Sequence, residues 1–384
     1  MLKVVVLSIS MILTSVVSIN GILPEIRDSL GITQTQSEIL VTLPSIAVLA
    51  SVLLSNFLVG KIGMKKTVAL GLIIAGIGGI TPVFLYQNYM QLLISRLIFG
   101  IGTGLFATLS VSYINLLFDE EERATLIGYR GSVELLGQSA IAMLVGFLFR
   151  FGWNMSFLAY GISFFLVIFF YFKVPDVERE SEESDDNVKS EKMNILVYPI
   201  ILFSFIIVLC GSAIAVRFSA MVTEIQGESY NSSWIIAIKP IFSIIGGILF
   251  GKLNKLLGKK LLYLAIFLFS ISAFMIGFSN GSFVILIVGF LLSGVVPAWI
   301  FPFTFNMISK ITQGKKQQIA MSLAMAGANV GIFMMPFVIQ FLEMLLGDET
   351  LTAPYPILGY LLVGVLVVVM VLGNKISQKI VEQN

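Results

Sequence analysis

The sequence predicts an all-α polytopic membrane protein: twelve membrane-crossing helices in two six-helix bundles, with both termini cytoplasmic. Three observations carry this. Of the 384 residues, 57% are hydrophobic and only 12% charged, about half the charged share of an average soluble domain. Apolar runs of about 18 or more residues, the length that crosses a bilayer, recur twelve times. The cations between those runs fall overwhelmingly on one side.

In chain order the runs cover residues 2–23, 37–59, 67–86, 90–117, 125–149, 154–172, 194–219, 232–250, 261–279, 283–308, 319–346 and 354–374. They are too long for strands and show no alternation of apolar and polar residues. The first run has no small-residue cleavage site and is longer than a signal-peptide core, so it is expected to be a retained span. With both termini inside, eighteen of the 24 Lys and Arg fall in inner segments, among them Lys61, Lys65, Lys66, Lys259, Lys260 and Lys316. The outer loops hold Arg27 and Arg150 alone, and Arg96, Arg130, Arg217 and Lys239 lie inside runs. The longest inner segment, VPDVERESEESDDNVKSEKMN from Val174, is acidic and free of aromatic residues, the composition of a flexible tether. The expected organisation is a bundle over 1–172, a cytoplasmic linker over 173–193 and a second bundle over 194–384.

Composition also excludes functions. With no histidine, the chain has no imidazole metal ligand, no Ser-His or Cys-His nucleophile pair and no histidine proton shuttle. One cysteine, Cys210, permits no intrachain disulfide. A net charge of +2 does not suggest nucleic acid as a partner. No paired intramembrane aspartates or zinc motif point to an intramembrane enzyme. No cofactor and no metal are expected.

The two halves repeat. Leu58, Gly63 and Lys65 after the second run correspond to Leu253, Gly258 and Lys260 after the eighth, at a constant offset of 195. Both segments, Asn56 to Lys66 and Gly251 to Lys260, resemble the G-x-L-x-D-R-x-G-R-R loop of the major facilitator superfamily. Arg96-Leu97-Ile98-Phe99-Gly100-Ile101-Gly102 resembles its R-x-x-x-G-x-G pattern in helix 4. Arg123, Ala124 and Gly128 resemble the entry to helix 5, and Gly152 to Phe157 the entry to helix 6. The chain departs from the pattern where the loop's first Gly is Asn56 and its Asp is Gly60 or Lys255. Gly128, Gly137 and Gly146 keep the spacing of the antiporter motif, but its Gly-Pro is Ile141-Ala142. Thr14 to Pro24 and Phe301 to Gly331 are similar to the cyanate and nitroimidazole permease branch, without that branch's arginine in helix 1. The resemblance implies a secondary transporter of the bacterial cytoplasmic membrane, working as a monomer, whose bundles rock about a central site. Gly63, Lys65, Lys66, Gly258, Lys259 and Lys260 are then its conformational loops.

An ionised side chain within a span costs several kcal/mol unless it faces a cavity or a partner. Arg96, Arg130, Glu134, Arg217 and Lys239 fall in the fourth, fifth, seventh and eighth runs, and in the family these helices line the cavity. Arg130, Glu134 and Gln138 recur at i, i+4 and i+8 and so share one helix face. Glu134 reads as the one deep carboxylate, roughly 14 Å from the helix start at 1.5 Å per residue. It is open to three roles: neutralising Arg130, carrying a coupled proton, or touching the solute. Arg96 is open to bonding neighbouring carbonyls or to coupling with proton or solute. Lys239 and Arg217 either reach outward to the interface or meet an anion. Asn20, Trp299 and Asn329 are candidates for packing or for solute contact, and Pro297, Pro302 and Pro336 for helix bends. Four interior cations against one carboxylate point to an anionic or zwitterionic organic solute. The expected partners are therefore that small-molecule solute, protons and the lipid bilayer. The alternative is a proton-driven multidrug or metabolite efflux antiporter of the same fold.

Overall fold

The computed structural model describes residues 1–177, 194–227, 230–348 and 350–381, and among them every regular element is helical. The tether expected over 173–193 lies mostly outside the described residues. We number the helices in chain order. α1 comprises Leu2–Ile12 and Ser15–Leu30. It is followed by α2 (Gln34–Ile62), α3 (Met64–Val83), α4 (Tyr89–Leu117), α5 (Glu120–Leu148) and α6 (Asn154–Lys173). Then come α7 (Val197–Gln226), α8 (Ser233–Leu257), α9 (Lys260–Gly277), α10 (Phe283–Ile311), α11 (Gly314–Leu346) and α12 (Tyr355–Val381). Helices α2 to α11 are each long and apolar enough to cross a membrane, and the two parts of α1 pass that test together. The apolar part of α12, Tyr355–Val371, is shorter.

Local chemistry sets the ends. Thr33 and Gln36 form a reciprocal capping box that starts α2, satisfying two of the donors a helix start leaves open. Asn88 caps α4 by accepting from Gln91 N at 3.0 Å. The two basic loops share one turn: Gly63 N donates to Val59 O at 3.0 Å and Gly258 N to Asn254 O at 2.9 Å. Both glycines have positive φ, +84° and +51°, which an L side chain adopts only at a cost.

One expectation is corrected in the first span. Residues 2–23 are expected as a single span. Pro297, Pro302 and Pro336 lie inside helices assigned without a break, and a sharp break, 46°, falls in α1 between Ile12 and Ser15. The turns flanking it, Ile9–Ile12 and Ser15–Ile22, are 3-10 helix. Two serine hydroxyls bond back along the chain there, Ser8 to Val5 O at 2.9 Å and Ser15 to Ile12 O at 2.7 Å. Such bonds compete with the regular backbone ladder and bend helices. α5 also presses on this segment: a Cβ on Gly137 would stand 2.4 Å from Met11 Cα.

The residues form two compact units. One is Met1–Asn194 with Asn231–Ala237 and Ile332–Pro336, and the other is Ile195–Tyr230, Ile238–Gly331 and Phe337–Asn384. Comparable contacts recur inside each, at offsets of 194 or 195 residues for the pairs of close helix contacts. In the first unit Gly137 of α5 abuts Met11 of α1, and in the second Gly331 of α11 abuts Phe205 of α7. Gly100 of α4 abuts Pro44 of α2, and Gly294 of α10 abuts Lys239 of α8. Tyr160 of α6 donates to Ser15 O of α1 at 2.8 Å, and Tyr355 of α12 donates to Ala213 O of α7 at 2.8 Å. Among the largest fully buried side chains are Phe99, Tyr113 and Phe157 in the first unit and Phe218, Phe269 and Phe290 in the second. Two arginines, Arg96 and Arg217, are enclosed with them.

Candidate functional site

Glu134 is the central residue of the 29-residue α5. Its carboxylate lies 3.4 Å from Arg130 Nη1, and both side chains are 19% exposed. Arg130 Nε also donates to Ser110 Oγ of α4 at 2.8 Å. One turn beyond Glu134, the backbone carbonyl of Gln138 accepts from Ser18 Oγ of α1 at 3.1 Å. The i, i+4, i+8 stripe therefore runs from a contact with α4 to a contact with the broken part of α1, and its side chains are half-buried. A carboxylate and a guanidinium at this separation on one helix interact without either being fully withdrawn from polar surroundings.

Arg96 is placed elsewhere in the same unit. Its guanidinium is wholly enclosed and lies 5.3, 4.9 and 5.3 Å from the ring centres of Phe99, Phe157 and Tyr160. Nη2 donates to Gly78 O of α3 at 3.4 Å and contacts Ser95 Oγ at 3.3 Å. Aromatic faces attract a cation through the ring quadrupole, so three rings supply here what a carboxylate would supply elsewhere. Asn20 is buried near the start of the second part of α1.

In the second unit, Lys239 Nζ stands 4.5 Å over the ring of Phe290, which stacks on Phe218 at 3.7 Å. Among the described residues Lys239 forms no ion pair with a carboxylate. Trp299 Nε1 donates to Gly246 O of α8 at 2.9 Å, and Asn329 Nδ2 to Met325 O of its own helix at 2.9 Å. Of the two readings of Arg217, the outward reach is not seen: the residue is fully enclosed and forms a two-pronged ion pair with Glu343 of α11. At the loops, Lys65 Nζ lies 5.0 Å over Tyr171, while Lys66, Lys259 and Lys260 are exposed beside their glycines.

Two carboxylates escaped the sequence reading. Glu343, 16% exposed, sits in the last turn of α11. Glu38, wholly buried, sits in the first turns of α2 and accepts from Gln34 Nε2 at 2.9 Å. Both lie inside runs identified from hydropathy, and a count of every acid in those runs would have found them. With Glu134 they make three carboxylates against four cations. The interior positive surplus is thus one rather than the expected three.

The class of protein follows from the fold: a membrane protein, all-helical among the described residues, built from a repeated set of helices with ionisable residues held inside the repeats. A family model described as Major Facilitator Superfamily matches residues 5–238 and 200–377. The chain belongs to the major facilitator superfamily and is a transporter; the family and the fold are not those of enzymes. Its fold is similar to the inward-open xylose transporter XylE from E. coli, with a TM-score of 0.75 at 15% identity over 96% of this chain and 94% of that one. It is equally similar to the POT family transporter PepTSo, with a TM-score of 0.77 at 11% identity over 98% and 99%. A bacterial homolog of the human lysosomal transporter Spinster gives 0.69 at 13% identity over 96% and 93%. Among curated proteins, the bacillibactin exporter of Bacillus subtilis (strain 168) is 26% identical over 122 residues. That match spans 31% of this chain and 30% of the exporter.

Proposed function

We propose that the protein moves a small organic solute, anionic or zwitterionic, across the bacterial cytoplasmic membrane by proton-coupled alternating access. In this reading it acts as a monomer with twelve spans and both termini inside. The observation that carries the proton role is the position of Glu134, at the centre of α5, half-buried and paired with Arg130 on the same helix. Protonation of the carboxylate frees Arg130 to face another anion, and deprotonation restores the pair. Lys239, which has no carboxylate partner among the described residues, supports a negative group on the solute. Arg130, Lys239 and Gln138 are the proposed solute contacts. Asn20, Trp299 and Asn329 would line the path, with Arg217 and Arg96 supporting it from within their packed surroundings.

The test is a panel of radiolabelled carboxylates, zwitterions and cations in proteoliposomes, with and without an imposed pH gradient. Gradient-driven accumulation of an acid or zwitterion, lost in Glu134→Gln while counterflow persists, is expected. Undiminished driven transport in that variant would remove Glu134 from the role. A second reading, proton-driven efflux, is favoured by the partial match to an exporter. The direction of gradient-driven movement, tested in both vesicle orientations, separates the two.

A further inference from the structure

α1 and α7 hold the same place in the repeat, and each accepts a hydrogen bond from a buried tyrosine, Tyr160 or Tyr355, at the 195-residue offset. The recipients behave differently. α7 runs unbroken for 30 residues through Ala213, so that backbone already has its helical ladder and the tyrosine adds one bond to it. α1 is 3-10 helix over Ser15–Ile22 and breaks just before Ser15. There the ladder is interrupted, and bonds from neighbouring helices carry more of the ordering.

A second difference lies beside the ring. The guanidinium of Arg96 stands 5.3 Å from the ring centre of Tyr160 and also meets Phe99 and Phe157, which pack edge-on and tilted against that tyrosine. At the offset position the second unit has Leu291. On either side of Ser15 the broken segment meets α5, with Ser18 Oγ on Gln138 O and Met11 backed against Gly137. Arg96 has no bond to Glu134, yet a continuous set of contacts leads from it through Tyr160, Ser15 and Ser18 to the turn next to Glu134.

We infer that Arg96 and Tyr160 are positioning residues: they hold the broken segment of α1, residues 9–22, against the Arg130–Glu134–Gln138 stripe. The hold itself stands on packing alone; only its consequence for proton coupling rests on the function proposed above.

Hydrogen exchange on the full-length protein in lipid nanodiscs tests it. Tyr160→Phe, which removes one hydroxyl and keeps the ring, is expected to speed exchange in peptides covering 9–22 by about fivefold, the factor for one net hydrogen bond. Peptides of α3 should stay unchanged. Tyr355→Phe should leave peptides around Ala213 within about twofold of wild type, because their amides keep their own ladder. Arg96→Leu should match Tyr160→Phe, and Arg96→Lys, which retains a cation over the rings, should stay near wild type. Equal local effects of the two tyrosine variants would overturn the inference. So would an unchanged 9–22 segment in Arg96→Leu, or a rise spread over α3 as well, which would mark general loosening of the unit. Glu134→Gln should leave exchange over 9–22 unaltered, which separates failure of this hold from failure of the proton role.

Discussion

The two units share a repeat but place their ionisable groups in opposite ways. In the first, Arg130 and Glu134 lie four residues apart on α5, at 3.4 Å, each about one-fifth exposed. In the second, Arg217 of α7 is fully enclosed and its carboxylate, Glu343, comes from α11. The offset positions of Arg130 and Glu134 are Met325 and Asn329, so the stripe has no ionic copy in the second unit. A pair within one helix leaves neighbouring helices free of it, and its members can change partners at small cost. A pair between helices, with one member buried, ties the helices together, and removing either member strands a charge. Charged residues inside apolar runs can thus serve exchange or cohesion, and their partners' position in the fold decides which.

Four experiments would break or sharpen that contrast. The largest expected effect is on transport: Glu134→Gln abolishes gradient-driven accumulation, read as solute uptake under a pH gradient, with the melting temperature little changed. Next, Glu343→Gln and Arg217→Ala each destabilise by about 3 kcal/mol, as breaking a buried pair does, read by thermal unfolding in detergent. The double variant Arg217→Met/Glu343→Leu should recover most of that loss. If Arg130→Ala proves as destabilising as Arg217→Ala, the division of roles is wrong. Third, Gly137→Val and Gly331→Val force side chains into Met11 Cα at 2.4 Å and Phe205 O at 2.6 Å. Each should cost about 2 kcal/mol, and similar losses would show that the repeat packs alike in both units. The smallest effects belong to the loops: Gly63→Ala and Gly258→Ala meet no atom within 4 Å, so only their positive φ opposes the change, by about 1 kcal/mol each. A much larger loss of transport than of stability at either glycine would assign that loop a conformational role.

Much of the fold was legible because a bilayer imposes a length on every span. The apolar runs predicted α2 to α11 to within several residues, and the paired glycines revealed the repeat before any contact was known. Glu134 was legible too, since i, i+4, i+8 spacing on a long helix determines a shared face. The break in α1 was not. Proline is the familiar sign of a kink, whereas here serine hydroxyls turned back on their own carbonyls and a glycine of another helix combine to bend it. The partner of Arg217 was hidden for a related reason: Glu343 is 126 residues away, and no local pattern links them.

By itself, then, the sequence determined what depends on composition and short periods. Those are a helical membrane protein, its duplicated halves, the basic loops with their glycine turns, and a carboxylate in the middle of α5. Only the tertiary structure decided which charges meet. It enclosed Arg96 in aromatic rings, gave Arg217 a carboxylate from another helix, left Lys239 over Phe290, and broke α1 beside Tyr160. The reason is range: hydropathy and helix period act over a few turns, while the state of a buried charge depends on whichever side chains folding brings within about 4 Å.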